Sequence, residues 1–179
     1  MKYIKTYEDK VTVDLKEDEK IFLMQHAART QNYSMLKRLL EAGFNVNIAI
    51  SSNSSNTTLL YEEAIKKNPD LEIIQLYIDY GANVNYTDTY HAYPLAMFIL
   101  RAATTTTNKQ TLVEILIKLI KAGANFNAKF IDETFFDLLE RRLEKNKKIK
   151  DKILNAVKEF APAQYKEYEI SKDSKKYNL

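Results

Sequence analysis

The hydrophobic positions of this chain recur at fixed distances upstream of its glycines. Counted back from Gly43, Gly81 and Gly123, apolar residues occupy the same four offsets each time: Met35, Leu36, Leu39 and Leu40; Ile73, Ile74, Tyr77 and Ile78; Ile115, Leu116, Leu119 and Ile120. Residues three or four positions apart lie on one face of an α-helix. The pattern therefore predicts three amphipathic helices, each ending just before a glycine.

Each glycine belongs to a short repeated phrase, at residues 41–47, 79–85 and 121–127. After the glycine come a small or aromatic residue, Asn, an apolar residue and a second Asn. Glycine commonly ends a helix in the left-handed conformation, and asparagine tolerates turn conformations and bonds nearby backbone groups. The phrase predicts a helix end followed by a tight exit into an extended finger. Its recurrence indicates a repeat architecture.

The units differ in length, because the glycines are 38 and then 42 residues apart. The extra residues fall in two polar stretches, 48–58 and 103–110, which are rich in Ser, Thr and Asn. Polar low-complexity stretches belong in surface loops, where added length costs little free energy. We therefore interpret 48–58 as a flexible insertion in the first finger and 103–110 as an insertion between two helices.

These patterns resemble the ankyrin repeat family over about residues 19–160. The family unit has a finger that ends near Thr-Pro-Leu-His, a first helix with an Ala-Ala pair, a Leu-rich second helix and a Gly-Ala-Asp-Val-Asn phrase. The matching segments are Ala27-Ala28, Thr58-Leu59-Leu60 with Ala64, Tyr93-Pro94-Leu95 and Thr134-Phe135-Phe136. The motif proline survives in one unit, and the motif histidine is absent.

The resemblance implies an all-α ankyrin-repeat solenoid of stacked helix-turn-helix units with finger loops. We place units at about 19–47, 48–85, 86–127 and 128–162, between a lead-in at 1–18 and a polar, partly disordered tail at 163–179. We expect the fourth unit to be a cap, because the end of a repeat stack needs a polar outer face. Its second helix is predicted at 147–160. In the lead-in, Val11, Val13 and Leu15 alternate with polar residues, which fits either a short strand or an extended segment.

Composition limits the chemistry that the chain can perform. The 179 residues are 45% apolar but contain no long apolar run and no cysteine, so we expect no membrane span, no disulfide and no thiolate site. The N-terminus lacks the apolar core of a secretory leader, and a cytoplasmic location in the producing cell or a host is the default. Neither His26 nor His91 has a nucleophile or ligand set around it in the sequence. We expect no enzyme activity, no cofactor and no metal.

Aromatic residues in the fingers are the first candidate binding feature. Tyr86, Tyr90 and His91 lie in the third unit's finger, and Phe130 opens the fourth. Tyrosine suits interface anchoring because it combines a large area with few rotors and a hydroxyl. The alternative is that a chain with twelve tyrosines simply places some of them in its fingers.

Cations near the end of each first helix are the second candidate feature. They are Arg29, Lys66, Arg101 and the pair Arg141 and Arg142. Stacked units would align them as a basic row along a concave groove. The alternative is that cations near a helix C-terminus stabilise it by about 0.3–1 kcal/mol wherever they lie.

We therefore expect a module that binds another protein, one with an acidic surface, through the groove and the finger tips. The alternative is an immunity- or inhibitor-type protein that blocks a toxin or enzyme. The Lys-rich stretch at 141–152 also fits nucleic-acid binding, but interspersed Glu144 and Asp151 favour a solvated outer face. Membrane partners are not expected. Because the Lys, Asn, Ile and Tyr content hints at an AT-rich genome, the resemblance implies an effector or adaptor of a bacterium or large virus.

Overall fold

The computed structural model describes residues 15–52, 55–87, 94–105, 108–130 and 132–177, and most of these residues are helical. The all-α class predicted from the sequence is thereby confirmed. Along the chain the elements are α1 Glu17–Arg29, α2 Tyr33–Glu41, β1 Ala49–Ser52, β2 Ser55–Thr58, α3 Leu59–Ile65, α4 Leu71–Asp79, α5 Leu95–Thr105, α6 Lys109–Lys121, β3 Lys129–Phe130, β4 Glu133–Thr134, α7 Phe135–Leu143, α8 Lys147–Phe160 and α9 Pro162–Tyr177.

Several helices begin at a side chain that caps the free backbone N–H groups. Asp70 Oδ1 accepts hydrogen bonds from the backbone N–H groups of Glu72 (2.8 Å) and Ile73 (3.2 Å) at the start of α4. At the start of α7, Thr134 and Asp137 each accept a hydrogen bond from the other's backbone N–H. A cap of this kind is typically worth about 1 kcal/mol.

The three glycines end α2, α4 and α6 in the predicted left-handed conformation, with φ angles of 84°, 80° and 86°. The N–H of Gly43 donates to the carbonyl of Leu40 (2.9 Å), and the N–H of Phe44 donates to that of Leu39 (3.1 Å). Gly81 and Gly123 repeat both bonds with their own neighbours. This is the Schellman motif, which satisfies carbonyls that would otherwise lack a partner at the helix end.

The helices pack as four hairpins, α1–α2, α3–α4, α5–α6 and α7–α8, and each hairpin packs against the next. Two rows result. The first-helix row consists of α1, α3, α5 and α7, and the second-helix row of α2, α4, α6 and α8. The predicted apolar offsets form the core: Ile115, Leu116, Leu119 and Ile120 of α6 are all 0% exposed. At the corresponding positions of α2 and α4, Met35, Leu39 and Ile78 are half-buried.

Paired asparagines tie each finger to the next. The first Asn of each phrase accepts a bond from the N–H of the second, as Asn45 does from Asn47 at 2.9 Å. The side-chain amide of the second Asn then reaches the following unit. Asn47 donates to Gly81 O (3.0 Å) and accepts from Asn83 N–H (2.7 Å). Asn85 makes the same two bonds with Gly123 (3.2 Å) and Asn125 (2.7 Å).

The fingers are β-hairpins at their bases. Strands β1 and β2 pair antiparallel, as do β3 and β4, and Thr87 bridges Pro94 between the second and third hairpins. The interpretation of 48–58 as a flexible insertion is therefore wrong for its described ends, where Thr57 and Thr58 are only 3% and 4% exposed. In the other insertion, α5 continues to Thr105 and α6 begins at Lys109.

The C-terminal region differs most from the sequence prediction. The helix predicted at 147–160 is present as α8, but the expected polar tail forms a further helix, α9, which packs against α8. The reason is that Tyr168 is 7% exposed and stacks on Phe136 of α7, with ring centroids 4.6 Å apart and planes 18° apart. At the other end, Val11 and Val13 lie outside the described residues.

Candidate functional site

The predicted cations fall on the first-helix row. Arg29 ends α1, Lys66 directly follows α3, Arg101 lies in α5, and Arg141 and Arg142 lie in α7. Arg29 and Lys66 also line one small cavity between α1 and α3, of about 110 Å³. Their local surroundings differ, however, and those surroundings decide which charges are available to a partner.

Lys66 is neutralised within the chain. Its Nζ lies 2.5 Å from Oε2 of Glu63, whose side chain is 2% exposed. The other carboxylate oxygen of Glu63 accepts a bond from the backbone N–H of Asp70 at 2.9 Å, at the start of α4. A buried carboxylate needs a partner, since an uncompensated buried charge costs several kcal/mol. Lys66 therefore stabilises the α3–α4 turn.

The pair in α7 is also committed in part. Arg141 donates from Nε and from a terminal nitrogen to the two carboxylate oxygens of Glu133, at 2.8 and 2.9 Å, which ties α7 to the finger base. Arg142 is half-buried, and its Nε is buried without a hydrogen-bond partner. Neither residue is a freely exposed groove cation. Arg29 and Arg101 remain as the exposed cations of the row.

Two exposed apolar residues lie beside Arg29 and Lys66, and the sequence analysis did not single them out. Phe22 is 66% exposed and its ring stacks on that of His26, with centroids 6.3 Å apart. Phe22, His26 and Arg29 follow i, i+4, i+7 spacing, so they share one face of α1. Ile65, next to Lys66, is 39% exposed. The α1 part of this surface was visible in the helical spacing; the exposure of Ile65 depends on how α3 packs.

The predicted finger aromatics have different fates. Tyr86 is half-buried and packs edge-on against the core residue Tyr61, with ring centroids 6.2 Å apart, so it supports the finger base. Tyr90 and His91 lie outside the described residues. Phe130 belongs to β3, but its side chain is outside the described part of the chain.

A larger cavity, of about 240 Å³, lies between α7, α9 and the end of the third asparagine phrase. The stacked rings of Phe136 and Tyr168 line it, together with Glu140 and Lys172. Glu140 accepts hydrogen bonds from Lys150 and from the hydroxyl of Tyr168. Sequence reasoning missed this site, because it interpreted α9 as a tail.

The electrostatics of that cavity hold Glu140 ionised. Burial acts to raise the pKa of the Glu140 carboxyl, but the hydrogen bonds from Lys150 and Tyr168 and the charges of Lys150 and Lys172 outweigh it and lower the pKa. Burial and the bond to Glu140 raise the pKa of Tyr168, which therefore donates its proton to the carboxylate at neutral pH. The group is a structural anchor for α9.

Within the described part of the chain, no group of three or more His, Cys, Asp or Glu side chains is arranged to hold a metal ion. None of the described helices is long and apolar enough to cross a membrane. Comparisons of the sequence with protein-family models and with curated proteins find no match.

Proposed function

We propose that this chain is a divergent ankyrin-repeat protein that binds a partner protein along its first-helix row. The proposal rests on the repeated sequence of hairpin, left-handed glycine, asparagine phrase and β-finger, and on the division of the helices into two rows. Stacked repeats of this kind present an extended surface whose side chains are not all needed for stacking.

The observation that carries the proposal is the exposed surface shared by α1 and α3. Phe22 and Ile65 stand in solvent next to the exposed Arg29, on helices whose remaining apolar side chains are largely buried. Exposed aromatic and aliphatic groups with an adjacent arginine match the composition of interface hot spots. We call Phe22, His26, Arg29 and Ile65 the α1–α3 surface.

The electrostatic part of the proposal is narrower than the sequence suggested. Since Glu63 neutralises Lys66 and Glu133 pairs with Arg141, Arg29 and Arg101 carry the exposed charge of the row. Exposed charges at an interface act mainly on the association rate and are screened by salt. We therefore assign anchoring to Phe22 and Ile65 and attraction of an acidic partner surface to the two arginines.

The test is quantitative capture of the partner from cells that naturally make the protein, followed by binding kinetics. Phe22→Ala and Ile65→Ala should each weaken the complex about tenfold or more, through the dissociation rate. Ile170→Ala is the matched control, because Ile170 is an exposed apolar residue (58%) on α9.

The charge variants test the second part. Arg101→Glu should slow association, with a smaller effect at high salt, whereas Lys152→Glu on α8 in the second-helix row should change neither rate. The proposal fails if Ile170→Ala and Lys152→Glu weaken binding as much as the changes on the first-helix row.

A further inference from the structure

The N-terminal end of the stack presents a stacking face without a neighbour among the described residues. Met35 and Leu39 of α2 are half-buried, whereas residues at the same distance from the glycine in α4 and α6 are 0% exposed. Those buried counterparts are Ile73, Tyr77, Ile115 and Leu119. Helices α4 and α6 each have a preceding hairpin packed against them, and α2 does not.

A polar position gives the same result. Lys118 of α6 reaches back to the preceding hairpin, where its Nζ donates to Gln75 Oε1 at 2.6 Å. Arg38 occupies the corresponding position of α2, five residues before the glycine, and is exposed. The α1–α2 hairpin thus carries the half of a junction that would meet a preceding unit. We call Met35, Arg38 and Leu39 the open face.

The C-terminal end is covered by α9. Gln164 Oε1 accepts a bond from Phe126 N–H at 2.6 Å, and Glu167 accepts a bond from the side chain of Asn127 at 2.6 Å. These bonds occupy the end of the asparagine ladder. Tyr168 packs on Phe136 of α7, so the far side of the α7–α8 hairpin is not free to accept a further hairpin.

The covering helix is held by few buried groups. Among α9 residues whose side chains are described, 162–174, only Tyr168 is buried. Its remaining contacts are polar or partly exposed, including Lys172 Nζ at 3.6 Å from Glu140 Oε1. Undocking α9 therefore exposes less apolar surface than separating two hairpins of the stack.

We propose that α9 is an autoinhibitory element that prevents end-to-end association of copies, by occupying the surface on which the open face of a second copy would stack. The second copy is the fitting occupant because its open face is the other half of the junction that already recurs between neighbouring hairpins. A head-to-tail contact of this type does not close on itself and would extend into a filament. In this account α9 protects the chain as a covered sheet edge protects a β-protein.

The test compares full-length variants by sedimentation velocity and light scattering over a concentration series. Wild type and Ile170→Ala should remain at the 20.8 kDa mass of one chain. Tyr168→Ala, which loosens α9, should self-associate at least about tenfold more strongly. Adding Met35→Glu, which places a charge on the open face, should return Tyr168→Ala to a monomer.

A mixing experiment separates the proposal from nonspecific aggregation. The double variant Met35→Glu/Tyr168→Ala has an accessible C-terminal end, and wild type has an intact open face, so the two should form a one-to-one complex although neither associates alone. If Tyr168→Ala loses helical circular dichroism, Gln164→Ala/Glu167→Ala replaces it in every arm. Monomeric α9 variants, an associating double variant or a mixture without a complex would each overturn the proposal.

Discussion

Replacing Tyr168 measures how much the C-terminal helix contributes to the fold. The side chain is 7% exposed, stacks on Phe136 and donates a hydrogen bond to Glu140. Truncation of a buried aromatic residue to alanine typically costs about 3–5 kcal/mol, and an aromatic pair contributes about 0.5–1.5 kcal/mol of that beyond area burial. Because α9 is at the end of the stack and the site can relax, we expect about 3 kcal/mol for Tyr168→Ala.

Two companion variants divide this cost. Tyr168→Phe keeps the ring stack and loses only the bond to a partly exposed carboxylate, so we expect about 1 kcal/mol. Ile170→Ala removes an exposed side chain from the same helix and should cost less than about 0.5 kcal/mol. Urea denaturation of all three proteins gives the free energies of unfolding. For a chain of this size, about 3 kcal/mol corresponds to a fall in Tm of about 6–12 °C.

Amide hydrogen exchange tests where the loss occurs. The N–H of Phe126 bonds to Gln164 of α9, so its protection should fall in Tyr168→Ala, while the N–H groups in the middle of α6 should keep theirs until global unfolding. Equal costs for Tyr168→Ala and Ile170→Ala, or unchanged protection at Phe126, would refute the assignment of α9 as a packed end helix.

Four further changes have defined outcomes. Asn85→Asp removes one donor from the asparagine ladder and should cost about 1–2 kcal/mol in urea denaturation; a neutral result would mean that the ladder does not couple units. Gly81→Ala should cost about 1–2 kcal/mol through left-handed strain alone, because a Cβ there would meet no atom within 4 Å; Gly81→Asn should cost less, and the reverse order would contradict this. Leu119→Ala (0% exposed) should cost about 2–5 kcal/mol and half-buried Leu39→Ala clearly less; equal losses would refute the difference between the ends. The lowered pKa of Glu140 stabilises the fold above its ordinary value of 4.5, and that stability is lost as pH falls through the folded-state pKa, so Glu140→Gln should flatten the acid side of a stability–pH profile; an unchanged profile would remove Glu140 from the account.

Features with a local cause could be predicted from the sequence. A left-handed helix end requires glycine, and the spacing of Gly43, Gly81 and Gly123 therefore fixed three helix ends correctly. The turn role of the asparagines was likewise predictable. Their bonds to the following unit were not, because the partner of Asn47 is set by how two hairpins stack.

Features that depend on distant partners were missed. Helix α9 has a low apolar content, and only the position of Phe136 makes Tyr168 a buried residue. The neutralisation of Lys66 was partly visible, since Glu63 precedes it by three residues, but the burial of Glu63 was not. Tyr86 was predicted as a partner anchor, and its contact with Tyr61 instead makes it a packing residue.

The account's central claim is that the first-helix row contacts the partner, and site-specific photo-crosslinking tests it directly. A photoreactive phenylalanine derivative is placed in turn at Arg29 and Ile65 on the first-helix row, and at Lys37 and Glu72 on the second-helix row, in cells that naturally make the protein. The account predicts that Arg29 and Ile65 give one shared, ultraviolet-dependent adduct and that Lys37 and Glu72 do not. The same adduct from Lys37 or Glu72 but not from Arg29 or Ile65 would contradict it.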